Sequence, residues 1–384
     1  MALDAVILAE LLRRVEPIGS MRFFPESGYT ILQADGSEWL RTGLAKPAAS
    51  YPVAAQCQSL QIFGVAATGS MPTAVYGKAS NGTGTVVVAS GDATNIHVST
   101  DYGATWAAVA HNLGVNCVGV AFNGTTWVAV GNSTTSFVIS TSTAPSSAWT
   151  LRTAPTAFTG GTVDSASICW DAANGKFVAV AQGGTTNFAA YSASGTSGWT
   201  ATNLSAAFTN KTYIAANGGN VVAIGGAATN KSSNGGVSWS TGASLGTNAN
   251  LSVFGGVFVT GLYKSADNGA SWQSMPSPSS ASDFAISTGQ SGDANATCYI
   301  LGTNNYQFWV TTDMATWRLV SSSASGFRPI LPDSGNRLIT VGGAAPLYTS
   351  NLFGADYVGT VRKQLSSGAA TQTMYDPVAY VRIK

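Results

Sequence analysis

Glycosidic hydrolysis calls for two carboxyl groups about 5–9.5 Å apart, and a nucleophilic triad calls for a histidine beside a hydroxyl or thiol. A zinc centre calls for clustered Cys and His. This chain of 384 residues supplies such groups sparingly, with 2 His, 4 Cys and no glutamate after Glu38. Beyond Glu38 every acid is an aspartate. Asp101, Asp267 and Asp313 stand in a repeated turn motif. Of the others, Asp92, Asp164, Asp171, Asp283, Asp293, Asp333, Asp356 and Asp376, most sit beside Gly, Ser, Asn or Ala in turn-like contexts such as Trp170-Asp171-Ala172-Ala173-Asn174-Gly175. Neither His97 nor His111 completes a Ser–His–Asp arrangement. Cys57, Cys117, Cys169 and Cys298 lack C-x-x-C spacing, and the last three lie in apolar runs that read as small buried thiols. No metal, no cofactor and no catalytic residue is expected.

The elements that must position these groups are short strands and tight turns. The motif Ser/Thr-x-Asp-x-Gly-x-Ser/Thr-Trp is complete at Ser99–Trp106, with Asp101 and Gly103, and at Ser265–Trp272, with Asp267 and Gly269. At Thr311–Trp317 the copy around Asp313 is one residue shorter, and at Ser232–Trp239 Asn234 replaces the acid. The copies before Trp149 and Trp199 are degenerate. An aspartate here accepts bonds from its own turn, glycine supplies a positive φ, and the Trp ring packs on neighbouring strands. The motif therefore reads as a hairpin staple. Before each staple comes an apolar phrase, at 85–91, 127–131, 177–181, 221–225, 257–261 and 299–302, and a seventh phrase at 338–342 is followed by Tyr348–Asn351 in place of a Trp. Near-continuous apolar runs imply strands buried on both faces, which a lone small sheet cannot provide. Stacking successive four-stranded sheets around a ring does provide it. The run Leu60–Val65 and the strands after Tyr348 are the candidates for closing that ring.

The motif resembles the Asp-box, or bacterial neuraminidase repeat, of sialidases, sortilin-type receptors and other propellers. That resemblance implies an all-β, seven-bladed β-propeller over residues 59–365. Sialidases of this fold carry an arginine triad, a Tyr–Glu nucleophile pair and an Asp acid. Here the propeller region has no Glu, and Arg152, Arg318, Arg328, Arg337, Arg362 and Arg382 crowd towards the end of the chain. Phe327-Arg328-Pro329-Ile330 is similar to the sialidase Phe-Arg-Ile-Pro motif but scrambled and near the wrong end. The chain reads as a non-enzyme, with a sialidase-like glycosidase or a cellular propeller scaffold for protein binding as alternatives.

Net charge is +1 and charged residues are 9% of the chain, against about a quarter in average soluble domains. Neither nucleic acid nor membrane insertion is expected, since anionic surfaces select clustered Lys and Arg. Leu3, Val6, Ile7, Leu11 and Val15 fall at helical spacing, so residues 2–15 read as an amphipathic helix with one apolar stripe. Its acid precedes the apolar run and its arginines follow, the reverse of a secretory signal. Strands are expected at 20–24, 29–33 and 38–41, with a turn at 34–37. Residues 1–58 thus form an N-terminal attachment or oligomerisation module, and 366–384 a C-terminal strand or tail.

The segment Tyr29–Gly43 with Ala48–Pro52, and the ending Tyr380–Lys384, resemble parts of tail fibre and other tail-associated proteins of tailed bacteriophages. This implies a virion tail component made in the bacterial cytoplasm, with other phage tail proteins and a bacterial surface receptor or polysaccharide as partners. It also implies a homotrimer, docked through Leu3, Val6, Ile7 and Leu11. For glycan contact, Asn305 and Tyr306 in the stretch 304–309 offer an amide and a ring on a loop.

Overall fold

The computed structural model describes residues 65–276 with short interruptions, the strands between 284 and 348 with a few residues beside them, and strands at 21–24, 30–32, 38–41 and 378–382. The expected helix with Leu3, Val6, Ile7 and Leu11, the loop residues Asn305 and Tyr306, and Asp313, Cys57 and Cys298 lie outside the described residues. Among the described residues every regular element is a β-strand. The chain divides into two units, Met1–Phe63 with Asn351–Lys384, and Gly64–Ser350.

Among the described residues the smaller unit contains one antiparallel sheet. Its strands are Met21–Phe24, Val378–Arg382, Glu38–Arg41 and Thr30–Leu32, in that spatial order. The C-terminal strand lies between the first and third N-terminal strands, with Arg22 opposite Tyr380 and Leu40 opposite Val381.

In the larger unit each apolar phrase becomes the second strand of an antiparallel sheet. The first sheet has Gly77–Ser80, Val86–Ala89, Asn95–Ser99 and Thr105–Ala110, with Thr68–Gly69 added in parallel to the last of these. The second has Asn116–Phe122, Trp127–Asn132, Phe137–Ser142 and Thr150–Arg152. Val163–Asp171, Lys176–Gly183, Thr186–Ser192 and Thr200–Asn203 form the third. Thr212–Asn217, Asn220–Gly225, Ala228–Ser232 and Ser240–Thr241 form the fourth. Leu251–Phe254, Val257–Thr260, Tyr263–Ser265 and Gln273–Ser274 form the fifth. Two further sheets follow, and the final one, from Arg328–Ile330, Ile339–Val341 and Leu347–Tyr348, takes its fourth strand from Val65–Ala66 at the other end of the unit. Three residues on, Thr68–Gly69 joins the first sheet, so the segment 65–69 bonds to both the first and the last sheet of the unit.

Side-chain parity explains why the second strands are apolar throughout. Trp127 and Ala129 pack into a cluster shared with the first sheet, while Val128 and Val130 pack into one shared with the third. Val178 and Val180 face the fourth sheet, whereas Phe177, Ala179 and Ala181 face the second. Val222 and Ile224 likewise meet the fifth sheet through Leu251 and Phe258. The second, third and fourth sheets are thus sandwiched, and burying each such Val, Ile or Phe contributes about 1.5–3 kcal/mol. Fourth strands differ: Thr150–Arg152, Thr200–Asn203 and Ser240–Thr241 are largely exposed.

Candidate functional site

Antiparallel order sends the turns between strands one and two, and three and four, to one end of the sheets. The turns between strands two and three, and the links to the next sheet, gather at the other. The Asp-containing motifs occupy the first end. In the first sheet Thr105 donates to Asp101 twice, from its N–H to Oδ1 at 2.8 Å and from its hydroxyl to Oδ2 at 2.6 Å. Ser99 Oγ donates to Asp101 Oδ1 at 2.8 Å and accepts from Gly103 N–H at 2.7 Å. Gly103 has φ 93°, in the left-handed region that favours glycine. These bonds hold the Asp101 carboxyl below its ordinary pKa, against the desolvation that raises it.

The motif at 265–272 repeats this arrangement: Ser265 and Ser271 hydroxyls and the Ser271 N–H all donate to Asp267. Its carboxyl is held down to about 2, chiefly by the Ser271 bonds. Where Asn234 replaces the acid, Oδ1 still accepts from Ser238 N–H at 3.0 Å, but its amide nitrogen now donates to Ser238 Oγ at 2.8 Å. One bond has reversed direction and the turn survives.

The sequence did not reveal the bond that accompanies each Trp. The indole N–H of Trp106 donates to Gly103 O at 2.9 Å, that of Trp239 to Gly236 O at 3.1 Å, and that of Trp199 to Gly195 O at 2.8 Å. Trp149, in a degenerate copy, donates to Pro145 O at 3.0 Å. The indole therefore closes the turn even where no acid remains. Trp272 differs: its buried Nε1 has no partner. The corresponding carbonyl, Gly269 O, accepts instead from Ala243 N–H at 3.0 Å in the link that follows the fourth sheet. Trp317 packs against the cluster of Phe254, Val259 and Met275.

The other titratable groups are also tied into the backbone. Asp92 Oδ1 accepts from the N–H groups of Thr94 (2.7 Å) and Asn95 (3.0 Å), which hold its carboxyl down to about 2. Asp171 accepts from the Asn174 amide at 2.8 Å, and Asn174 also donates to Gly219 O in the next sheet. His111 is fully buried. Its Nδ1 accepts from Leu113 N–H at 3.1 Å, so Nε2 carries the proton and donates to Asp92 O at 3.1 Å. Burial pushes its pKa down. Burial also pushes the Cys117 and Cys169 thiols up. No group of three or more His, Cys, Asp or Glu able to hold a metal occurs among the described residues.

At the opposite end the first strands of five successive sheets surround a cavity of about 110 Å³. Its walls come from 75–78, 119–120, 167–168, 213–214 and 250–252. Glycine brings two walls together, since a Cβ on Gly77 would lie 2.6 Å from the Gly119 Cα. Val120, Ile168, Ile214 and Leu251 are buried apolar lining, while Tyr76, Lys78, Tyr213, Asn250 and Ser252 supply polar groups. Lys211 Nζ stands 5.5 Å from the Tyr76 ring centroid, within cation–π reach. No carboxylate lines this cavity among the described residues. None of these residues carried a motif, and only the order of the sheets brings them together.

No family profile and no curated protein sequence matches the chain. Solved structures do. "YCF48 bound to D1 peptide" is 16% identical, with a TM-score of 0.56 over 80% of this chain and 99% of that one. A streptogramin B lyase is 12% identical, with a TM-score of 0.55 over 75% and 97%. YCF48 from Cyanidioschyzon merolae is also 12% identical, with a TM-score of 0.50 over 75% and 98%. At such identities the likeness is one of fold: among the described residues the chain is all-β and of the propeller type, built from repeated four-stranded sheets.

Proposed function

We propose that the chain is a component of a bacteriophage tail that presents a non-catalytic, seven-bladed β-propeller of the Asp-box kind for recognition of a host-surface glycan. The observation that carries this reading is the sheet of the smaller unit. The two segments that resemble tail proteins, around Tyr29–Gly43 and Tyr380–Lys384, lie at opposite ends of the sequence. Their strands Glu38–Arg41 and Val378–Arg382 pair directly, with Trp39 opposite Arg382 and Arg41 opposite Tyr380. Chain ends joined in one sheet suit a single attachment module, from which the intervening residues are displayed. In this reading the protein trimerises and meets other tail proteins through that module, and it is made in the bacterial cytoplasm before joining the virion.

The non-catalytic part of the proposal is supported by the carboxylates. Asp92, Asp101, Asp171 and Asp267 each accept hydrogen bonds from groups of their own turn, the part of a turn brace and not of an acid–base pair. The seven sheets found in the larger unit, the last completed by Val65–Ala66, support the blade number.

The test is to incubate purified protein with host cells and their polysaccharide, scoring both retention and released sugar. Retention without new reducing ends or free sialic acid is expected. Sugar release would replace the proposal with a glycosidase, and failure to bind cells or polysaccharide would remove host recognition from it.

A further inference from the structure

We infer that the sheet of the smaller unit is conditional on the larger one: it is completed only in chains whose larger unit has folded, so that attachment through this sheet selects finished molecules. Its use for attachment rests on the reading above, whereas the dependence itself does not.

Strand order sets the first condition. Val378–Arg382 lies between Met21–Phe24 and Glu38–Arg41. Among the described residues Met21–Phe24 pairs with that late strand alone, Met21 opposite Val381 and Phe24 opposite Val378. Without it the N-terminal strands make one hairpin, Thr30–Leu32 with Glu38–Arg41. A lone two-stranded hairpin is at best marginally stable in water, and independent stability takes three or more strands. The strand that completes the sheet follows the whole larger unit in the sequence.

Loop closure sets the second. Pairing Arg41 with Tyr380 in an unfolded chain closes a loop of about 340 residues, and the probability of closure falls as about the −3/2 power of loop length. Folding of the larger unit sets Val65 opposite Tyr348. The residues just after Val65 are gripped in turn by the first sheet: Thr68 N–H donates to Ala104 O at 3.0 Å, Ser70 N–H to Trp106 O at 2.8 Å, and His97 Nδ1 to Ser70 O at 2.9 Å. With 65 and 348 held together, only 42–64 and 349–377 remain to be spanned, about 50 residues, which raises the closure probability about fifteenfold. The four strands are only three to five residues long, so a factor of this size decides whether the sheet persists.

The experiment follows amide hydrogen exchange of the full chain by mass spectrometry, comparing the parent with two variants. Val130→Asp with Val222→Asp puts two carboxylates into buried core positions and unfolds the larger unit, which circular dichroism confirms. Val381→Pro removes an N–H from the central strand of the small sheet. The parent is expected to protect 21–24, 38–41 and 378–382. In the unfolded variant exchange at those strands should be faster by at least about fifteenfold. Val381→Pro should remove their protection while the larger unit keeps its own to within the same factor, since coupling is reciprocal. Absence of protection in the parent, unchanged protection in the unfolded variant, or loss of the larger unit's protection in Val381→Pro each overturns the proposal. Retention of host cells is scored separately: if cells bind but exchange shows no dependence, this inference falls and the recognition reading stands, and in the converse case the dependence stands without it.

Discussion

The two ends of the sheets use polar residues in opposite ways. At the end carrying the Asp motifs, carboxylates, hydroxyls and indoles bond to their own turns, as Asp101 does with Thr105 and Trp106 with Gly103. At the cavity end, Lys78, Tyr213 and Asn250 gather around a cavity with no acid in its lining among the described residues. The difference teaches that rarity of a residue type does not locate a function. The aspartates, which a search for chemistry would choose first, brace their own turns, whereas the residues around the cavity are of ordinary types brought together by stacking.

Substitutions at the two ends should differ in their effect on stability. The largest effect is expected for Trp106→Ala, since Trp106 is only 4% exposed; denaturant unfolding should show a loss of about 3–5 kcal/mol. Trp106→Phe keeps most of the packing but strands the Gly103 carbonyl, for a loss of about 1 kcal/mol. Trp272→Phe, which removes an indole N–H without a partner, should not incur that loss. Equal losses at the two positions would show that the indole bond contributes nothing to the staple.

Next in size is Asp101→Ala, which leaves donors of Ser99 and Thr105 without their acceptor and should cost about 1–3 kcal/mol. Asp101→Asn should cost less, because Asn234 already shows that an amide can serve the same turn with one bond reversed. A substitution to Asn as damaging as one to Ala would break the analogy between the two turns.

Acid should act on both ends at different pH. Asp267 has its pKa lowered to about 2 in the folded state, so its contribution is present above the unfolded value near 3.9 and disappears as pH falls from there towards 2. For His111 the folded pKa is also lowered. The folded state therefore favours the neutral ring, and stability falls as pH drops below the unfolded value near 6.5. Protonation would set an N–H of His111 against the Leu113 N–H it now accepts from. Unfolding measured from pH 8 to pH 3 should show a loss beginning near 6.5 that His111→Gln alters and Asp267→Asn does not.

The smallest stability effect is expected at the cavity. Lys78→Met should change unfolding free energy by within about 0.5 kcal/mol. A loss comparable to that of Asp101→Ala would mean that this end, too, is chiefly structural.

Much of the fold was legible because burial on both faces leaves a mark in one dimension. Val221–Gly225 reads as an apolar run since alternate side chains meet different neighbouring sheets, and in Val86–Ala89 one parity meets the second sheet while the other packs on Trp106, Met71 and Val75. The Asp motifs were legible for a similar reason, their bonds spanning two to four residues. The pairing of Val65 with Tyr348, the diversion of Gly269 O to Ala243 and the tie between His111 and Asp92 left no such mark. Their partners are set by where successive sheets stack.

The sequence alone therefore determined the strand phrases, the staple turns and the scarcity of acids, because each depends on contacts within a few residues or on composition. Tertiary structure alone decided that Tyr76, Lys78, Tyr213 and Asn250 line one cavity and that the two chain ends share a sheet. Those neighbours are far apart along the chain, and nothing local requires them to meet until neighbouring sheets bury one another's apolar faces.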